Sequence, residues 1–166
     1  MLNKKLELLF LTIIILALSI LGYNYYQSYS FKHNSLPQSY LQRITNKEKD
    51  VLAHMQKNFG FQVEFPTIIT DKISGKLYGL TSYENGQIKI YLNKKVMRES
   101  MNYMINSVIP HEYAHALLFY MHKNSYANDG HSKLWRQTCQ KLGGKDCRQY
   151  VNQQKIILSK LPFQIK

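Results

Sequence analysis

His111, Glu112 and His115 stand as H-E-x-x-H inside the stretch "VIPHEYAHALLFYMH". Residues four apart on an α-helix project from the same face, so both imidazoles can hold one metal ion while the glutamate beside the first points toward a water on that ion. Metal-assisted hydrolysis requires this set: neutral imidazole ligands, a Lewis acid that lowers the pKa of its water, and a carboxylate placed to take the proton. The plainer alternative is a pair of helix histidines hydrogen-bonded to their neighbours. The flanks argue against it, because Val108, Ile109, Ala114, Ala116, Leu117, Leu118 and Phe119 are apolar, and two unliganded imidazoles with a carboxylate are costly in a buried stretch.

A catalytic zinc takes three protein ligands and keeps one position open. Downstream of the motif stand His122, Asp129 and His131. On a continuous helix His122 would lie two turns beyond His115, about 10 Å away by helix rise, too far to share the ion. His131 follows "KNSYANDG", a loop able to reverse the chain, and opens a second amphipathic segment, "HSKLWRQTCQKL". His131 is therefore the expected third ligand. Asp129 is its weaker alternative, and is otherwise a turn or helix-capping residue.

Positioning these groups needs helices and a small sheet. Thr45-Asn46-Lys47-Glu48 matches a capping box and predicts a helix start, with Val51, Leu52, Met55 and Phe59 on one face and Gly60 as the stop. "FQVEFPTIIT" is β-branched and aromatic, and Pro66 makes it an edge strand or a break. In "LYGLTSYENGQIKIYLN", Asn85-Gly86 predicts a tight hairpin, and Ile88, Ile90 and Leu92 alternate with polar residues to give one buried face. Helical spacing then runs through "KKVMRESMNYMINSVIPHEYAHALLFYMH", with a kink or restart at Pro110. The fold class is α+β.

Ahead of this domain, Lys4 and Lys5 precede an uncharged apolar run from Leu8 to Gly22, and Tyr23, Tyr25 and Tyr26 follow it. The tyrosines suit the membrane boundary, and the lysines predict a cytoplasmic N-terminus and an extracytoplasmic domain. Ala17-Leu18-Ser19 offers a signal-peptidase spacing, but Ile20 and Leu21 continue the apolar run beyond it, which favours an uncleaved signal-anchor. Residues 1–26 are read as the membrane anchor, 27–44 as a tether without sustained period, and 45–166 as the catalytic domain. In an oxidising compartment Cys139 and Cys147 can pair across Gly143-Gly144; two reduced, buried thiols are the alternative. The formal net charge is +12, and eight Lys/Arg stand against Asp146 alone between His131 and Lys166. Such a segment could follow nucleic-acid phosphates or anionic headgroups, or simply keep a surface solvated.

The run "INSVIPHEYAHALLFYMHKNSYANDGHSKLWRQTCQKLGG", with "SYENGQIKIYLN" upstream, resembles the SprT-like (SprT/Spartan) zinc metallopeptidases. The resemblance covers roughly residues 47 to 150. It implies a zincin-like metallopeptidase domain, one Zn2+ held by His111, His115 and His131, Glu112 as general base, and Trp135 at the family's aromatic position. Ser132 stands where the family often has Gly. The cysteine-rich zinc ribbon and the DNA-binding segments of family members have no counterpart here, so the resemblance implies fold and chemistry rather than a role in DNA repair.

The resulting expectation is a membrane-anchored zinc metalloendopeptidase acting on a protein or peptide substrate. Three other readings are a zinc-stabilised binding module whose basic C-terminal segment engages nucleic acid or anionic lipid, a cytoplasmic-facing protease near DNA, which requires inverted topology, and a zinc hydrolase of a non-protein amide.

Overall fold

With no charge between Leu8 and Gly22, the N-terminal backbone meets its hydrogen-bonding requirement by coiling on itself. In the computed structural model, which describes residues 2–74, 77–123 and 130–149, it forms α1, Leu2–His33. This helix is long and apolar enough to cross a membrane. It does not stop where the apolar run stops, so the first part of the expected tether is helical. Contacts one turn apart carry it onward: Gln27 Nε2 donates to the Tyr23 hydroxyl at 3.0 Å, and the Tyr29 and His33 rings stack at 4.1 Å. The chain divides into two units, Met1–Leu36 and Pro37–Lys166.

The second unit opens with α2, Gln38–Phe59, which corrects the expected start at Thr45. Pro37 supplies the boundary instead, its φ of −56° and ψ of 142° ending the preceding segment and leading into the helix. Gly60 ends the helix as expected, at φ 81° with its N–H on the Gln56 carbonyl. Ile44, Val51 and Met55 are the buried stripe. Glu48 does not close a capping box. Its Oε1 accepts from Thr67 Oγ1 and, at 3.4 Å, from the Tyr113 hydroxyl, joining α2 to the sheet and to the helix that carries the histidines.

The sheet has three strands in the order β1-β3-β2: β1 Thr67–Thr70, β2 Gly79–Glu84 and β3 Gln87–Asn93. β1 starts directly after Pro66, lies at an edge and runs parallel to β3. β2 and β3 form the expected hairpin, turning at Asn85 (φ 52°) and Gly86 (φ 78°), with Glu84 opposite Gln87. This register puts Gly79, Thr81 and Tyr83 opposite Leu92, Ile90 and Ile88, on the face that turns toward the core, where Ile90 and Leu92 are fully buried.

The long helical segment divides into α3, Lys94–Tyr103, a π-helical turn, Met104–Val108, and α4, Ile109–Tyr120. Asn93 caps α3 through its side chain on the Lys95 N–H. Ser100, at φ −135°, breaks the helical geometry within α3, so the irregularity begins well before Pro110. Pro110 has no N–H, and would leave the carbonyl one turn earlier unpaired. That carbonyl, on Asn106, accepts instead from the Lys145 N–H at 2.9 Å.

Lys145 lies in the loop after the last described helix, α5, Lys133–Lys141. The loop is closed by a disulfide between Cys139 and Cys147 (S–S 2.05 Å, Cα–Cα 5.9 Å). Gly144 must be glycine here, since a Cβ would sit 2.6 Å from Cys139 Sγ and 2.7 Å from Cys147 Sγ. The core gathers Val51 and Met55 of α2, Ile90 and Leu92 of β3, Met97, Met104 and Leu117 of the long helical segment, and Trp135 of α5.

Two predictions follow from this packing. Cross-linking so short a loop stabilises by about 2.5 kcal/mol, so Cys139→Ala/Cys147→Ala is expected to unfold at lower urea by about that free energy. Glu48 has its carboxyl raised above the usual range, chiefly by burial and further by Glu64, with the Thr67 and Tyr113 hydrogen bonds pulling the other way. A carboxyl raised on folding stabilises fully below its unfolded pKa and loses that contribution as pH climbs through the folded value. Glu48→Gln keeps the acceptor oxygen and removes the loss. Its thermal midpoint is expected to exceed the parent's at pH 7 and to converge on it as pH falls below about 4.

Candidate metal centre

α4 presents His111 and His115 one turn apart, and α5 brings His131 to them from the other side. Ser132 fixes that approach, capping α5 with Oγ accepting from the Trp135 N–H at 3.2 Å, so the residue just before the cap faces α4. The three histidines each offer one ring nitrogen, all within 4.8 Å of one another. His131 Nε2 lies 3.1 Å from His111 Nε2 and 3.2 Å from His115 Nε2. These three residues could hold a metal ion.

The donor set fits zinc in two respects. Tetrahedral zinc with nitrogen ligands at about 2.0–2.1 Å spaces those nitrogens about 3.3–3.4 Å apart, close to both separations seen here. Protons alone also satisfy the cluster poorly. A neutral imidazole nitrogen either donates one hydrogen or accepts at one lone pair, so His131 Nε2 cannot bond well to both partners, whereas a shared cation takes every lone pair. Burial, with the neighbouring histidines adding to it, holds His111 well below the usual histidine range and lowers His115 to about 3. Neutral imidazole is the form that ligates metal.

Trp135 forms the floor. Its ring centroid lies 4.6 Å from that of His111, 5.1 Å from His115 and 4.4 Å from His131. The indole is 1 % exposed and its Nε1 makes no hydrogen bond to a described residue; its ring face acts as a surface that limits where three rings can turn. His122, just past the end of α4, is exposed at φ 54° and outside the cluster. Asp129 falls outside the described residues.

Glu112 points from α4 to the sheet rather than to solvent. Its carboxyl is pushed up to about 7 by burial, against the pull of a hydrogen bond from Thr81. Thr81 Oγ1 lies 2.8 Å from Glu112 Oε2 and 3.0 Å from the Glu112 carbonyl. Beside it, a Cβ built on Gly79 would meet Glu112 Oε1 at 2.7 Å and Val108 Cγ1 at 2.9 Å. Sequence reading did not single out Gly79 or Thr81. The signal was available in the hairpin, where the Asn-Gly turn and the alternation of β3 put both on the inward face of β2. Further along the same face Tyr83 stacks on Phe119 at 5.8 Å, so β2 runs alongside α4.

A helix bearing two histidines and a buried carboxyl group, joined by a third histidine just ahead of the next helix and backed by a small mixed sheet, defines an α+β domain with a three-histidine cluster able to hold a metal ion. Residues 39–156 match the family model described as the SprT-like family. The match covers most of the chain, which belongs to the SprT-like family. Comparison with curated proteins and with solved structures gave no match.

Gly79→Ala tests the close approach of β2 to Glu112. Overpacking of this kind costs about 1–3 kcal/mol, and the variant is expected to unfold at correspondingly lower urea. A variant as stable as the parent would show that the Glu112 side chain yields freely.

Proposed function

We propose that this chain is a zinc-dependent endopeptidase carried on an N-terminal membrane helix. The observation that carries the reading is the convergence of His111, His115 and His131 within 4.8 Å beside a buried glutamate in H-E-x-x-H register. Membership of the SprT-like family supports it.

His111, His115 and His131 would hold the metal through their Nε2 atoms. Zinc bound there supplies a Lewis acid that polarises a peptide carbonyl and acidifies water. Glu112 is the general base: its carboxylate takes the proton of the attacking water and delivers it to the leaving amine nitrogen. Burial raises this carboxyl in the metal-free protein, and a cation bound beside it would favour the ionised form that accepts the proton. Trp135 and the apolar residues of α4 keep solvent from the side of the site away from the substrate.

For location, Lys4 and Lys5 ahead of α1 support a cytoplasmic N-terminus with the domain outside. The Cys139–Cys147 disulfide supports the same side, since such bonds persist in oxidising compartments.

The test compares the chain with Glu112→Gln for bound zinc and for cleavage of an unfolded protein such as casein. One zinc per chain in both, with turnover reduced by about 10²- to 10⁴-fold in the variant, is the expected result. Undiminished cleavage by Glu112→Gln would remove Glu112 from the mechanism. Zinc in both and cleavage by neither would turn the reading toward a binding module or a hydrolase of another amide.

A further inference from the structure

Thr81 occupies the inward face of β2, opposite Ile90. On that face valine would have the same shape, so a hydroxyl needs a reason. Its partners at this position both belong to Glu112, the carboxylate Oε2 at 2.8 Å and the backbone carbonyl at 3.0 Å. A threonine hydroxyl has one proton to give, and an ionised carboxylate is the stronger acceptor of the two. Gly79, two residues earlier on the same face, leaves room for Oε1, which would collide with any Cβ there. Oε1 itself makes no hydrogen bond to a described residue.

Building on the reading of Glu112 as general base, we propose that Thr81 is a positioning residue of the reaction: its hydroxyl holds Glu112 Oε2 against β2, so that Oε1 is the oxygen presented to the attacking water. Gly79 makes the arrangement possible by letting the strand come close enough for that bond. The base is thereby aimed by the sheet, whereas the metal would be held by two residues of α4 and the residue just ahead of the α5 cap. Among the described residues the Thr81 hydroxyl hydrogen-bonds to Glu112 and to none of the three histidines.

The first measurement needs neither metal nor substrate. A double-mutant cycle of Thr81→Val and Glu112→Ala, read from urea unfolding of the metal-free full chain in detergent at about pH 8.5, where Glu112 is ionised, isolates the interaction of the two side chains. The expected coupling is about a tenfold or larger change in the unfolding constant, as for a hydrogen bond to a charged group. Effects that add within about twofold overturn the proposal.

The second measurement is casein cleavage by the zinc-loaded chain. Thr81→Val is expected to keep its zinc and its KM and to lose about 10- to 100-fold in kcat, and Thr81→Ser to recover most of the loss by restoring the hydroxyl. Combined with Glu112→Gln, Thr81→Val is expected to cause no further loss, because it acts only through the carboxylate. A Thr81→Val chain with the parent's kcat overturns the positioning role, as does a Thr81→Ser chain as impaired as Thr81→Val. Full activity in Glu112→Gln alone would instead sink the general-base reading, and the coupling measured by unfolding would still report the contact itself.

Discussion

The constraint on which this domain turns is the placing of one imidazole nitrogen, His131 Nε2, next to two others it cannot bond simultaneously as a neutral ring. His111 and His115 come together through helix geometry alone. His131 reaches them only if α5 crosses α4 at the correct height and rotation. The sequence around it serves that purpose. Ser132 sets where α5 begins, Trp135 lies beneath all three rings, and the loop beyond α5 is tied down by the Cys139–Cys147 disulfide and by the Lys145 N–H on the Asn106 carbonyl. That last bond turns a liability into an anchor: the acceptor that Pro110 would strand, one turn ahead of the motif, becomes the place where the following segment docks.

What could be read from the sequence was mostly what is local in it. The H-E-x-x-H spacing, the Asn85-Gly86 turn, the alternation of β3 and the Gly60 stop each depend on residues within a few positions of one another, and the folded chain keeps all of them. The capping box at Thr45 misled because Glu48 has tertiary partners, Thr67 and Tyr113, which no local rule contains. The helix instead begins after Pro37, and Ile44, in step with Val51 and Met55 on the buried stripe, was the sign that the apolar period extended further back. The end of α1 was missed for a related reason. Its last turns are held by polar and aromatic pairs one turn apart, and a hydropathy pattern does not register them.

Gly79 and Thr81 show the limit of motif reading most clearly. Neither lies near the histidines in sequence, and neither belongs to a recognisable spacing. Their importance comes from register: the hairpin turn fixes which β2 residues face inward, and the packing of β2 along α4 puts two of those against Glu112. A sheet edge that looks like scaffolding thus supplies a wall of the site.

This division has a consequence for how the site is assembled as the chain folds. His111 and His131 are 20 positions apart, so the histidine cluster closes over a short span of chain and can form early. The strand that orients Glu112 comes from the upstream hairpin, and its contact with α4 spans a longer loop and forms only once sheet and helices have packed. Gathering of the imidazoles and placement of the Glu112 carboxyl are then separate events. A chain still emerging, or one opened locally at β2, can bring its three imidazoles together while its carboxyl is unplaced, so the peptidase proposed above would become competent only with its tertiary structure complete.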